Sequence, residues 1–346
     1  FVGNLGLTAA TLPIVLALWF LAIGVMQIVA SFSLRREGYS WGWSLLAGVL
    51  GVLFAFLAVG LLCAKLGWLD EHGGKSLNKL VLNVFAPCIV LASVLSTELE
   101  YAVGDIMTLL WQGAALNALQ LALGFVCALI FFRRDKNRSQ FHLLTAFGNT
   151  VFMGFPVVAS ILGDDAIFLA SMCSIPFNLF IYSIGVLLAG GKGSLKQFLL
   201  RLLNPPFLAN FVGLALFLLP IRAPEPVIEV FDALGGMVVP LSMMLIGMSL
   251  ARLSLRAIFS DWRVYVLAGC RLLLAPVVIF LVMRLFVRDV LFLDLFVILA
   301  AMPCASVLPI LCGEYGGDEA LASKCVFVTT LLSLATVPLM LGILLK

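Results

Sequence analysis

The chain has 346 residues, of which 63% are hydrophobic and 11% are charged, and its formal net charge is +3 at pH 7. A chain of this length cannot hide so large an apolar fraction from water, so the composition excludes a water-soluble protein. Its apolar runs reach the ~20 residues that a helix needs to cross a bilayer and are too long for barrel strands. The sequence therefore predicts an all-α polytopic membrane protein.

Apolar runs separated by charged or Gly- and Pro-rich turns predict eleven membrane spans. They lie at about 8–32, 42–64, 76–96, 105–132, 140–162, 165–190, 199–220, 226–251, 259–285, 290–313 and 319–345. Residues 8–32 lack the charged start and the small-residue cleavage site of a signal peptide, so we interpret them as the first span.

The Lys and Arg residues of the connecting loops are distributed unequally between the two sides of the membrane. One set of alternate loops carries 13 of them and the other set carries six. Cytoplasmic loops are enriched in Lys and Arg, so the N-terminus is predicted to be cytoplasmic and the C-terminus outside. The basic loop 133–138 is interpreted as part of this orientation signal, and no nucleic-acid partner is expected.

An internal repeat relates two long parts of the chain. A shift of 153 residues aligns Pro87 with Pro240, Pro156 with Pro309, and Gly163 with Gly316. The repeated units cover about 50–190 and 203–343, and each contains five spans. An odd number of spans reverses the membrane orientation of the second unit, which is typical of the inverted repeats of secondary transporters.

Two predicted spans related by this repeat, 140–162 and 290–313, contain residues that interrupt helices. These residues are Gly148, Asn149, Gly154 and Pro156 in one span, and Pro303, Ser306 and Pro309 in the other. Broken backbone at membrane depth survives where protein or a water-filled cavity satisfies it. We therefore expect the two segments to cross near the bilayer midplane and to offer half-helix N-termini to an anion. The alternative is that the prolines only kink helices for packing.

Arg271 lies in the middle of the predicted span 259–285, where a charged side chain usually faces a cavity or a partner. It could bind a carboxylate substrate, or it could pair structurally with a carboxylate or a backbone carbonyl. Lys79 lies near a span end, where it could extend to the membrane surface or contact a substrate or proton. Asp294 is the clearest carboxylate within a span and a candidate for proton coupling, although uniport driven by the membrane potential is equally allowed.

Enzymatic chemistry has no support in the residue pattern. The eight cysteines include no C-x-x-C pair, and no spacing of His, Cys and carboxylates indicates a metal site or a hydrolase. A phosphate-binding loop for ATP is also missing from the sequence. We therefore predict a protein that is not an enzyme and uses no metal or cofactor.

Several motifs resemble the auxin efflux carrier family, which includes plant auxin carriers and bacterial organic-acid permeases. The most specific are G-N-T-V-F-M-G-F-P (148–156) and T-T-L-L-S-L-A-T-V-P-L (329–339), and M-P-C-A-S-V-L-P-I-L-C-G-E-Y-G (302–316) is a further match. The resemblance covers about residues 50–346 in order. Residues 12–55, in contrast, resemble the acid-stress membrane protein family HdeD, and a natural fusion and an engineered chimera are both open explanations.

The resemblance to the auxin efflux carriers implies a ten-helix inverted repeat (5+5) with two crossed, broken helices, similar to the elevator fold of bile-acid symporters. One N-terminal transmembrane helix, within the HdeD-like residues 1–49, is additional. A scaffold part (about 50–96 and 199–251) and a moving transport part (about 105–190 and 259–345) are implied, as is a homodimer. The short loop between the halves favours a bacterial-type permease, expected in the inner membrane.

The implied activity is secondary transport of a small organic anion, either an auxin-like monocarboxylate or a di-acid such as malate or malonate. Residues at the matching crossover positions, together with other polar residues of the spans, are the predicted substrate-binding set. They are Asn149, Thr150, Pro156, Pro303, Cys304, Ser306, Pro309, Arg271, Asn178 and Asn83. The alternative function is a membrane sensor or interaction protein that binds the ligand without translocating it.

Overall fold

A computed structural model of the chain describes residues 22–24, 26–27, 42–96, 101–163, 165–191, 205–219, 223–251 and 260–345. Most of the first predicted span (8–32) and of the HdeD-like segment (1–49) lies outside these residues. Several basic loop residues used to predict orientation also lie outside them, among them Arg35, Lys192 and Arg256. The orientation in the membrane therefore stays a prediction.

The described residues form helices and, within these ranges, no strand longer than a single bridge. We number thirteen helices in chain order. They are α1 (Gly42–Lys65), α2 (Glu71–Ser96), α3 (Val103–Phe131), α4 (Arg138–Ala146), α5 (Thr150–Leu162), α6 (Ala166–Leu188), α7 (Pro205–Leu218), α8 (Glu225–Gly235), α9 (Val238–Ala251), α10 (Trp262–Met283), α11 (Val290–Ala301), α12 (Leu308–Glu314) and α13 (Glu319–Leu344).

Most of the predicted spans correspond to long apolar helices. Among the described residues, five segments are long and apolar enough to cross a membrane: α2, α3, α6, α10 and the segment Glu225–Met248, which joins α8 to α9. Helix α13 is also long and apolar enough to span a membrane if its two parts are counted together. These parts, Glu319–Ser333 and Ala335–Leu344, are bent by 58° relative to each other. The structure therefore agrees with a polytopic helical membrane protein.

Two of the predicted spans, 140–162 and 290–313, are each divided into two helices as the prolines and glycines indicated. Helix α4 ends at Ala146 and α5 begins at Thr150, while α11 ends at Ala301 and α12 begins at Leu308. Pro303 lies within the second gap, whereas Pro309 occupies the first turn of α12, where its missing N–H needs no partner. Pro156 follows a π-helical turn, Thr150–Gly154, and not the gap itself.

Glycines allow close packing between helices of the two repeated units. A side chain at Gly60 of α1 would overlap the backbone of Met244 in α9. A side chain at Gly213 of α7 would contact Val94 of α2 with a Cγ2 distance of 2.9 Å. Gly213 lies 153 residues after Gly60, so the predicted repeat relates these two helix contacts. Helix α1 packs against α9, and α7 packs against α2.

Loops predicted to share a membrane side are in contact. Arg263, at the start of α10, pairs through Nη1 with an Asp135 carboxylate oxygen at 2.8 Å. The side-chain amide of Asn137 donates to Asp318 at 3.2 Å. Both contacts join loops from the two predicted repeat units.

Candidate functional site

The two helix interruptions meet and satisfy each other's backbone groups. Gly148 and Cys304 form an antiparallel bridge. The N–H of Asn149 donates to the carbonyl of Pro303 at 2.8 Å, and the N–H of Ala305 donates to the carbonyl of Phe147 at 3.0 Å. The interrupted helices therefore meet at their interruptions, and their broken backbone is stabilised by protein. We call residues 147–149 and 302–307 the crossover.

The carboxyl end of α4 is fully provided with donors, although a helix leaves its last four carbonyls without partners of its own. The carbonyl of Leu143 accepts from the N–H of Phe147, and that of Leu144 accepts from the Cys304 thiol at 3.1 Å. The remaining two carbonyls, Thr145 and Ala146, accept from Nη1 of Arg271 at 3.1 and 3.4 Å. One side chain from another helix thus completes this helix end.

Arg271 is buried, with 0% of its surface exposed, in the middle of α10. Besides the α4 carbonyls, its Nε donates to the carbonyl of Met302 at 2.9 Å, immediately after the end of α11. Of the two interpretations drawn from the sequence, the geometry supports pairing with backbone carbonyls. Arg271 does not line the cavity described next, so direct contact with a substrate there has no support from this arrangement.

A cavity lies between the crossover and helices α2, α6 and α7. Its volume is about 80 Å³, several times the ~10–15 Å³ that one water molecule needs. The polar residues on its wall come from four regions of the chain: the first interruption, α6, α7 and the second interruption. They are Asn149 and Thr150, then Ser174, Asn178, Tyr182 and Asn210, and Ser306.

The cavity wall carries hydrogen-bonding groups that the protein itself leaves free. Among the described residues, Nδ2 of Asn149, Oγ1 of Thr150 and Oδ1 of Asn210 are buried without a hydrogen-bond partner. Buried polar groups are normally paired, so unpaired ones that line a cavity are suited to a ligand or to water. No Lys, Arg, His, Asp or Glu is among the lining residues that the structure describes.

The structure places the predicted substrate-binding residues in three different environments. Asn149, Thr150, Asn178 and Ser306 line the cavity. The buried residues Pro303 and Cys304 form the crossover behind it, and the backbone N–H of Cys304 donates to Oγ1 of Thr329 at 3.2 Å. The remaining members lie away from the cavity wall: half-buried Pro156 and Pro309, fully buried Arg271 and exposed Asn83.

Three polar lining residues were absent from the predicted set: Ser174, Tyr182 and Asn210. Ser174 and Tyr182 lie four residues before and after Asn178 on α6, so the three side chains share one helix face. That spacing was the signal available in the sequence. Asn210 is 1% exposed on α7 and reaches the cavity because α7 packs against both α2 and α6.

A second, smaller chamber adjoins the cavity on the other side of Thr150. It has a volume of about 10 Å³ and is lined by Asn117, Gln120, Thr150 and Ser174 together with apolar residues. This is room for about one water molecule. Thr150 and Ser174 line both spaces, so the polar surface continues from the cavity towards α3.

The other charged candidates lie outside the cavity. Lys79 is exposed on α2, and Asp294 is half-buried on α11. Neither is among the residues that line the cavity in this conformation. Proton coupling through Asp294 therefore stays a hypothesis with no contact to the candidate site.

A helical membrane protein whose two interrupted helices meet beside a polar cavity has the structural features of a membrane transporter. The sequence matches the protein family described as membrane transport protein over residues 45–197 and again over 193–341. The chain belongs to this family, which is the auxin efflux carrier family. Residues 1–60 match a separate family described as a short repeat of unknown function, the HdeD-like segment expected from the sequence.

Relatives with similar sequences carry transporter names. A protein of Methanothermobacter thermautotrophicus named "Uncharacterized transporter" is 29% identical over 301 residues, covering 84% of this chain and 95% of the relative. A protein of Rhizobium meliloti named "Putative malonate transporter" is 25% identical over 309 residues, covering 84% and 93%. These names support a membrane transporter, and none of them is the name of an enzyme.

Proposed function

We propose that the protein is a secondary carrier for small organic carboxylates, which bind in the cavity beside the crossover and cross the membrane by alternating access. The observation that carries the proposal is the set of free polar groups on the cavity wall, Asn149 Nδ2 and Thr150 Oγ1, at the point where both interrupted helices meet. Such a site is typical of transporters built from broken helices.

A carboxylate suits this cavity because the wall offers donors without any opposing negative charge. Helix α5 begins at Thr150, so its first N–H groups and the positive end of its dipole lie at the cavity. The Asn149 amide and the hydroxyl groups of Thr150 and Ser306 are further donors on the same wall. The small volume favours a short acid over a large one.

The substrate class is a malonate-type di-acid or an auxin-like monocarboxylate. The Rhizobium relative supports the first choice through its name, and the chain covers 93% of that relative. Identity of 25% does not carry a substrate from one protein to another, so the substrate is assigned here by the chemistry of the cavity.

An elevator movement fits the position of the cavity between two groups of helices. Leu82, Ala86 and Asn210 belong to the predicted scaffold part, whereas the crossover and α6 belong to the predicted transport part. Hydrogen bonds hold the two crossover segments together, so they would move as one unit and carry the site with them. The 5+5 inverted arrangement, a homodimer, and an inner-membrane location with a cytoplasmic N-terminus complete the proposal.

Uptake into proteoliposomes tests this function. Labelled malonate, malate and indole-3-acetate would be offered with an imposed membrane potential and then with a pH gradient. We expect one acid to accumulate with time, and we expect unlabelled malonate, but not its neutral diamide, to compete with a di-acid. Protein-free liposomes are the control. Stoichiometric binding without accumulation in sealed vesicles would instead favour the sensor.

Alternating access has a separate test with a single introduced cysteine. Ser306→Cys would be made in a Cys63→Ser background, because the other seven cysteines are buried. A membrane-impermeant thiol reagent should label position 306 from either side, and substrate should change both rates. Labelling from one side alone under all conditions would contradict the elevator.

A further inference from the structure

The guanidinium of Arg271 lies between the carboxyl ends of both interrupted helices. It donates to Thr145 and Ala146 at the end of α4 and to Met302 at the end of α11. The carboxyl end of a helix carries partial negative charge, about half an elementary charge. A single buried cation therefore neutralises two negative helix ends at the crossover.

Arg271 also lies directly behind the cavity wall. A side chain at Gly148 would overlap Nη2 of Arg271, and its Cβ would lie 2.9 Å from Cζ. Gly148 itself lines the cavity. The guanidinium is thus separated from the cavity by one backbone residue, in a place with no exposed surface. Charges are screened much less there than in water.

The two halves of the crossover share this one cation. The position 153 residues before Arg271 is Ala118, which has no charge. Among the described residues, Nη2 of Arg271 is buried without a hydrogen-bond partner, although the other guanidinium nitrogens are bonded. The positive charge is therefore only partly compensated by the carbonyls.

We propose that Arg271 is a positioning residue that ties the carboxyl ends of α4 and α11 together, and that its charge gives the uncharged cavity its preference for anions without touching the substrate. Neutralising the two negative helix ends leaves the positive end of α5 as the dominant backbone charge at the cavity. The effect of Arg271 on anion preference rests on the proposed function, whereas its role in tying α4 to α11 does not.

The positioning role of Arg271 can be tested without substrate, by a double-mutant cycle measured by thermal unfolding in detergent. The four proteins are wild type, Gly148→Ala, Arg271→Lys and the double variant. We expect Gly148→Ala to lower Tm in the wild-type background. Lysine lacks Nη2, so the same change should have a much smaller effect in the Arg271→Lys background. Effects that simply add would overturn the proposed contact.

The effect of the Arg271 charge on anion binding is tested by the kinetics of malonate uptake in proteoliposomes. Arg271→Lys keeps the charge but loses the fork of donors, so KM should stay within a few-fold of wild type while Vmax falls. Arg271→Gln removes the charge, and KM should rise by about ten-fold or more. Arg271→Met is the second neutral variant if the glutamine protein does not reconstitute. Equal rises in KM for the lysine and neutral variants would overturn the electrostatic role.

The two experiments separate this inference from the proposed function. Wild-type protein that takes up none of the tested acids would overturn the carboxylate carrier and, with it, the anion preference assigned to Arg271. The unfolding cycle would still report whether residues 148 and 271 are coupled. Normal uptake together with additive unfolding would leave the carrier intact and remove the positioning role.

Discussion

Asn149 donates its backbone N–H to the carbonyl of Pro303 at 2.8 Å, which joins the two interrupted helices at one point. The two residues are 154 positions apart in the chain. The same Asn149 presents its side-chain amide to the cavity, where Nδ2 has no partner among the described residues. The backbone of Asn149 thus stabilises the fold, while its side chain belongs to the candidate site.

The Asn149 side chain is expected to matter for transport and not for the crossover. Asn149→Ala keeps the backbone bond to Pro303, so we expect carboxylate uptake to fall by about ten-fold or more, as for loss of a hydrogen bond to a charged group. Initial uptake rates in proteoliposomes at matched protein density measure this. Asn83→Ala is the matched control, because Asn83 is exposed on α2 and away from the cavity. Equal effects of the two variants would remove Asn149 from the site.

Thr150 and Thr145 should respond in opposite ways to replacement by valine. Oγ1 of Thr150 is buried without a partner, so Thr150→Val should leave Tm unchanged or slightly higher while uptake falls. Oγ1 of Thr145 donates to the carbonyl of Phe141 at 2.8 Å and lies away from the cavity.

Thr145→Val should therefore lower the free energy of unfolding by about 1 kcal/mol and change uptake little. Thermal unfolding and uptake of both variants, measured side by side, give the comparison. A Thr150→Val protein with normal uptake would show that the hydroxyl has no role in binding.

Close contact between α1 and α9 depends on glycine at position 60. Gly60→Ala places a methyl group into the backbone of Met244, and overpacking of this kind typically destabilises by about 1–3 kcal/mol. Gly269→Ala in α10 is the control, because a Cβ there would meet nothing within 4 Å. The control should be neutral or stabilising by about 0.4–1 kcal/mol. Denaturant or thermal unfolding in detergent measures the stability of both variants. Equal Tm values for Gly60→Ala and Gly269→Ala would contradict the close packing of α1 against α9.

Acid should weaken the contact between Asp261 and Arg263. Two guanidinium bonds, of 2.8 and 2.7 Å, hold the pKa of the Asp261 carboxyl below its usual range. A carboxyl group with a lower pKa in the folded protein stabilises it above the unfolded pKa, about 4. That stabilisation is lost as the pH falls through the folded value.

We therefore expect Asp261→Asn to lower Tm at pH 7, and the difference from wild type to shrink between pH 4 and pH 3. Glu229→Gln, an exposed change on α8, is the control for general effects of acid. Thermal unfolding in one detergent at pH 7, 5, 4 and 3 provides the data. A Tm difference that stays constant over this range would argue against the ion pair as its cause.

Much of the architecture follows from the sequence because the bilayer imposes simple rules. Long apolar runs must be helices, and the residues Gly148, Asn149 and Pro303 mark the places where two of these runs are interrupted. The shift of 153 residues also pairs Gly60 with Gly213, and each of these glycines lies at a close helix contact in the structure. Helix-interrupting residues and internal repeats are properties of the sequence itself, so they can be predicted without the tertiary structure.

The candidate site was predicted less completely, because it depends on how helices are rotated and which of them become neighbours. Asn83 and Asn178 look equivalent in the sequence, yet one is exposed and the other lines the cavity. Asn210 joins the cavity through the packing of α7 against α2 and α6.

The hydrogen-bond partners of Arg271 show most clearly what could not be predicted from the sequence. A charge in the middle of an apolar span requires compensation, and this requirement is visible in the sequence. Carbonyl oxygens supply it here, and every residue has a carbonyl, so nothing in the sequence distinguishes Thr145, Ala146 and Met302 from the rest. The sequence by itself determined a membrane protein with two interrupted, repeated helices. Only the tertiary structure decided that one arginine joins their ends, because that choice depends on distances between residues 31 to 126 positions apart in the chain.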